Sequence, residues 1–204
     1  MEKFASLPAE KQTQIIDGAL QAFSINGYKK TSVSDIAAAA GISKAMVFHY
    51  FGTKKALYLY LIKFCSQIVM NAITEKFDKD VTDFFERIQM VSMIKILAMQ
   101  KHPAILSFLS SILFEKDEEV RQDIQFILAM GEGFRNQIAF DGLDISKFKD
   151  GVDPKLVMKI LVRYSEGFVS ELPSDEVIDP EALYREFDEC TRLLRTNLYK
   201  EEYL

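Results

Sequence analysis

The sequence predicts an all-α chain of nine helices, and three observations predict it. Apolar residues recur at three- and four-residue intervals along most of the chain, as at Ile15, Ile16, Ala19, Leu20 and Phe23. Ser, Asp, Pro and Gly fall at the ends of these periodic stretches, where helices start and stop. No segment keeps the two-residue alternation of a strand.

The first helix, 8–26, opens with Pro8 in its first turn and ends at Asn26-Gly27, residues that tolerate left-handed backbone. Ser32-x-x-Asp35 is a capping-box pattern heading a short helix, about 33–39, that Gly41 stops. Ser43 caps a third helix, about 44–50, and Gly52 ends it. Thr53 caps a long fourth helix, Lys54 to about Phe77, with no Gly or Pro inside. A fifth runs from about Val81 to Lys101 and closes at His102-Pro103, because the residue before proline avoids helical backbone. A sixth covers about 103–115. Asp117-Glu118-Glu119 place acids at the start of a seventh, about 117–140, where the helix dipole favours them. Gly131 and Gly133 weaken that helix by about 1 kcal/mol each and are expected to mark a bend or a close backbone approach beside a pocket. Asp153-Pro154 and Asp179-Pro180 each pair an N-cap with a first-turn proline. They open helices eight, to about Leu172, and nine, to about Tyr199, with a linker at 173–179.

Composition bounds the function. Hydrophobic residues make up 49% and charged residues 27%, enough apolar material for a core and too much for a disordered chain. No uninterrupted apolar run approaches the roughly 18 residues of a membrane span. The N-terminus lacks the apolar segment of a signal peptide. A cytoplasmic protein without a membrane partner is expected. Cys65 and Cys190 read as free thiols. Neither they nor His49 and His102 sit at metal-ligand spacing, and no nucleophile–base pairing is found. No metal, cofactor or enzymatic activity is therefore expected. The net charge of −5 divides into +3 over residues 1–55 and −8 over the rest. A basic head on an acidic body points to local contact with a polyanion.

The second and third helices, joined by Ala40-Gly41-Ile42-Ser43, have the helix-turn-helix arrangement: two short helices, a tight turn with Gly, and a capped second helix. Val47 and Phe51, four apart, face inward with Ile42 against Ile36 and Ala37. Lys44, Ala45, Met46, Phe48, His49 and Tyr50 remain outward, a set suited to a DNA major groove. Lys44 can donate to guanine, Ala45 and Met46 can meet a thymine methyl, and His49 and Tyr50 can donate to phosphate or a base. Thr31, Ser32 and Lys54 lie at or beside helix N-termini, where backbone N–H groups attract phosphate.

Gly27-x-x-x-Thr31-Ser32, Ile36-Ala37, Gly41-Ile42-Ser43, Phe48-His49-Tyr50-Phe51 and Thr53-Lys54 together resemble the tetracycline-repressor (TetR) family of bacterial transcription regulators. The likeness covers about residues 10–62. It implies a homodimer with a DNA-reading domain at 1–52 and a regulatory and dimerisation domain at 53–204, the helix at 53–77 connecting them. It implies phosphate contacts at Tyr50 and Lys54, with Lys44, Ala45, Met46 and Phe48 facing the bases or the groove edge. Three departures stand out: Met46 where a small hydroxyl residue is common, Phe48 where Tyr is common, and Lys55 in place of the usual acid, adding positive charge near DNA.

The resemblance further implies a small effector bound by the body and a dimer seam from helices about 153–172 and 180–199. Leu156, Val157, Ile160 and Leu161 on the first, and Phe187, Cys190, Leu193 and Leu194 on the second, form stripes for that seam. Gly167 would permit close approach. The middle helices are rich in Phe and Met, which suit an adaptable apolar cavity. Phe64, Ile68, Lys95, Met99 and His102 are the candidate ligand residues, with Lys95 and His102 positioned for an anionic or acyl head. The expected function is a ligand-responsive repressor released from operator DNA by a small, largely apolar effector. The alternative is a helical ligand-binding or protein-interaction module that has lost DNA binding.

Overall fold

The computed structural model describes residues 2–171 and 179–204; of the linker expected at 173–179, all but Asp179 lies outside the described residues. Among these the chain is all-α. The helices are α1 (Glu2–Ala5), α2 (Ala9–Lys30), α3 (Val33–Ala39), α4 (Lys44–Phe51), α5 (Lys54–Lys76), α6 (Phe84–Met99), α7 (Ile105–Phe114), α8 (Glu118–Phe140), α9 (Pro154–Glu171) and α10 (Pro180–Leu198). Nine of these were expected, and α1 is additional.

The caps form as the sequence predicts. Ser32 and Asp35 make the reciprocal capping box, and Ser43, Thr53, Asp153 and Asp179 each accept a backbone N–H of the turn they head. Three boundaries and one expected bend differ. Pro8 is the N-cap of α2, one residue ahead of its first turn. Gly27 breaks α2 with φ +66°, as expected, but a further turn runs on to Lys30. α6 starts at Phe84 because the Asp83 carboxylate accepts the Glu86 N–H at 3.0 Å, so 81–83 stay outside it. α8 is continuous through Gly131 and Gly133, and a Cβ at either meets nothing within 4 Å. Neither glycine marks a break or a close approach.

The chain packs as two compact units. The first comprises residues 2–68 and 101–128. Here α2 packs on α3 and α7, and α1 packs on α4. Its core is aromatic: the Tyr58 ring lies 4.9 Å from those of Phe23 and Tyr28 and 5.5 Å from that of Phe108. The second unit comprises 69–100, 129–171 and 179–204. Here α6 packs on α10 around Phe84, Phe85, Phe148, Leu161 and Tyr199. Arg87 is buried and donates to the carbonyls of Val81, Ile138, Ala139 and Asp141, satisfying backbone acceptors at the end of α8. α5 and α8 each contribute residues to both units.

α5 is long enough, and with a mean hydropathy of 1.4 apolar enough, to cross a membrane by length and composition alone. Uninterrupted apolar runs did not reveal this, because Lys63 and polar residues are spaced along it. Leu57, Tyr58, Leu61, Ile62 and Cys65 are buried in the fold, and 33% of the apolar window is buried in all. Both cysteines are free thiols.

Candidate nucleic-acid interface

The helix-turn-helix is built on close contact. Gly41 turns the chain with φ +60°, which favours glycine. The Ala40 carbonyl just before it accepts from the Gln14 side chain at 2.9 Å. α3 packs on α2 and α4, Ile36, Ala37 and Ala40 are buried, and Val47 and Phe51 on α4 are buried as expected, the Phe51 ring 4.9 Å from that of Phe4. The Ser43 Oγ accepts the Met46 N–H at 3.2 Å and fixes the first turn of α4. Lys44, Ala45, Phe48 and His49 are exposed, Phe48 at 45%, while Met46 is half-buried.

Three expected contacts are engaged within the protein. Tyr50 is 7% exposed, and its ring stands edge-on to Phe4 at 6.1 Å, so it faces the core rather than outward. Phe4 belongs to α1, a helix of four residues that is too short to leave a periodic signal. Thr31 is 1% exposed, and its hydroxyl lies 2.6 Å from the Gly27 carbonyl and 3.2 Å from that of Ala22. It bridges the end of α2 and offers no hydroxyl to a phosphate. The Lys54 ammonium donates to the carbonyls of Tyr28 at 2.9 Å and Thr31 at 3.2 Å, 4.2 Å above the Tyr28 ring centroid. It satisfies the chain end between α2 and α3.

Ser32 remains exposed. Its hydroxyl and backbone N–H hold the Asp35 carboxyl below the usual carboxylate range. Lys55 pairs with Asp123 at 2.9 Å, so its extra positive charge is largely neutralised.

Sequence reading missed a further support. The Glu115 carboxylate accepts the Tyr28 N–H at 2.6 Å and the backbone N–H groups of Lys116 and Asp117 at 2.9 Å. It ties α2 to the turn between α7 and α8. A lone Glu between two helices carries no local signal for a partner 87 residues away.

The candidate ligand residues separate between the units: Phe64, Ile68 and His102 in the first, Lys95 and Met99 in the second. The His102 Nδ1 lies 2.6 Å from an Asp17 carboxylate oxygen, and the Phe64 ring packs edge-on to the imidazole at 5.2 Å. That nitrogen of His102 therefore meets an internal carboxylate. Met99 is buried, and Lys95 is half-buried.

A capped short helix with an exposed, mildly basic face, seated across a second short helix, defines a helix-turn-helix DNA-binding regulator. Residues 15–61 match the family model of bacterial regulatory proteins, tetR family. That match covers α3, α4, most of α2 and the start of α5, and the fold of the described residues is that of solved TetR-family regulators. It is 26% identical over 156 residues to the fatty acid metabolism regulator protein of Bacillus subtilis (strain 168), covering 74% of this chain and 77% of that protein. A TetR family transcriptional regulator from Chloroflexus aurantiacus J-10-FL superposes with a TM-score of 0.69 at 20% identity, over 98% of this chain and 99% of that one. The regulator FadR from Bacillus subtilis, solved in complex with stearoyl-CoA, superposes with a TM-score of 0.62 at 22% identity, over 87% of this chain and 96% of that one.

Proposed function

We propose that the chain is a cytoplasmic, homodimeric repressor that leaves its operator when a small, largely apolar effector binds. The observation that carries this reading is α4: capped by Ser43, seated on α3, with Lys44, Ala45, Phe48 and His49 outward. A helix presented this way fits a major groove with its N-terminal residues at the base edges. Residues 1–52 form the reading head and 53–204 the regulatory body. Ser32, Lys44, Ala45, Met46, Phe48 and His49 make up the DNA face.

The likeness to a protein solved with stearoyl-CoA favours an effector with a long acyl chain. Release requires that the effector prefer one conformation of the dimer, because a ligand that binds both equally shifts nothing. α5 and α8, which contribute to both units, are the elements able to carry the change.

Fluorescence anisotropy with DNA from upstream of the chain's own gene tests the reading. Binding to a palindrome with half-sites about one helical turn apart is expected, with competition by that site and not by scrambled DNA. Absence of specific binding at low salt would favour the helical module without DNA function.

A further inference from the structure

We infer that the exposed face of α8 pairs, antiparallel, with the same face of a second copy and so joins one dimer of this chain to the next. This surface is distinct from the stripes on α9 and α10, and it does not depend on the operator or effector readings. α8 runs unbroken from Glu118 to Phe140. Gln122, Phe126, Ala129, Met130, Gly133 and Gln137 on it are all exposed, Phe126 at 68% and Met130 at 58%. At 3.6 residues per turn these six lie within about 50° of one line along the helix. The buried residues Val120, Ile124 and Ala139 turn away from that line. Two large apolar side chains at the centre of an exposed helix face mark a contact surface.

The face is complementary to itself. With a two-fold axis between Ala129 and Met130, Phe126 of one copy stands opposite Gly133 of the other, Ala129 opposite Met130, and Gln122 opposite Gln137. Each large side chain meets a small one, and the glutamine amides can donate to and accept from each other. A Cβ at Gly133 meets nothing within 4 Å, which leaves room for the Phe126 ring of a neighbouring copy. Charge points to the same occupant. A two-fold contact sets each patch against itself, so like charges meet, and the body of this chain is acidic. Between Gln122 and Gln137 this face carries no charge. Asp123, off the face, pairs with Lys55 at 2.9 Å, and Glu132 and Arg135, also off it, lie 3.9 Å apart. The stripe is about 22 Å long at 1.5 Å per residue and one helix wide, well under the ~800 Å² per partner of a stable interface. That size suits contact between dimers already formed rather than the holding of free subunits.

Cysteine cross-linking of the full-length chain tests the register, in a Cys190→Ser background because Cys65 is buried. A disulfide needs Cβ atoms about 3.5–4.5 Å apart, so on mild oxidation Phe126→Cys mixed with Gly133→Cys should cross-link about tenfold more than either chain alone. Phe126→Cys mixed with Gln122→Cys, out of register, should stay at that background. Sedimentation velocity of the parent should show a species larger than a dimer that grows with concentration. Phe126→Gln and Gly133→Leu should each remove that species and leave the dimer intact. Gly133→Leu should at the same time raise Tm, because the place is open in its own chain and leucine favours helix over glycine. A merely structural glycine would not lose assembly while the fold gains stability. Gly131→Ala, off the face, should raise Tm and keep the assembly. No cross-link above the out-of-register pair, or larger species that survive both Phe126→Gln and Gly133→Leu, would overturn the inference. So would a register cross-link with no species beyond a dimer, or a monomer produced by Phe126→Gln, since either makes α8 the dimer seam itself.

Discussion

At Gly18, α2 crosses α3 so closely that a Cβ would lie 2.5 Å from the backbone of Ala39 and Ala40. Mid-helix Gly→Ala ordinarily stabilises by about 1 kcal/mol. Here the sign reverses, because backbone cannot move aside as a flexible side chain can. Gly18→Ala should destabilise by about 1–3 kcal/mol and weaken operator binding, since α4 is seated on α3. Thermal melts and anisotropy on one variant check both, and a raised Tm would remove the close-approach argument. The sequence reading passed over this glycine because nothing local marks it; its meaning lies in a helix that begins 15 residues later. Thr31 and Tyr50 escaped the reading for a related reason. Their chemistry suits a phosphate, but tertiary packing turned one toward the carbonyls of α2 and the other toward Phe4.

Helix boundaries were legible because caps are local chemistry: a Ser, Thr or Asp side chain accepts an N–H two or three residues ahead, and both partners stand in one short stretch. What a helix contributes beyond its own turn was less legible. Lys54 opens α5 and has the charge for a phosphate, yet its ammonium is held by the carbonyls of Tyr28 and Thr31. Lys54→Met should therefore lower stability by about 1–2 kcal/mol, the loss of hydrogen bonds to a charged donor. It should leave the slope of log K against log salt nearly unchanged, because no phosphate contact is removed. Lys44, exposed in the first turn of α4, should behave in the opposite way. Lys44→Ala should leave Tm unchanged and relax preference at one base pair, costing about 1–3 kcal/mol of discrimination. Melts together with salt and sequence titrations of the two variants separate these roles. A reduced salt slope for Lys54→Met would return that lysine to the DNA face.

At the scale of the whole molecule the question is which surface joins two copies. The stripes on α9 and α10 looked continuous in sequence, but packing divides them. On α9, Val157 and Leu161 belong to the core of the second unit, whereas Leu156 and Ile160 stand 55% and 46% exposed. On α10, Phe187, Cys190, Leu194 and Leu198 pack against the same core, and Leu193 is 65% exposed. Helical periodicity could locate the apolar stripes, but not which half of each met its own chain. A charge at Leu161 would therefore report on folding rather than on assembly. The residues to charge are Ile160 and Leu193, large apolar side chains on the helices proposed to form the seam. The double variant Ile160→Glu, Leu193→Glu should keep its helicity and nearly its Tm, and sediment as a monomer at concentrations where the parent is a dimer. Operator binding should fall with it. A palindromic site presents half-sites about 34–36 Å apart, and one reading head forgoes the effective concentration that linkage gives the second. Sedimentation velocity and anisotropy on the same preparation decide the matter. A double variant that still sediments as a dimer would move the seam to another face, and one that is monomeric yet binds the palindrome with undiminished affinity would remove the need for a dimer.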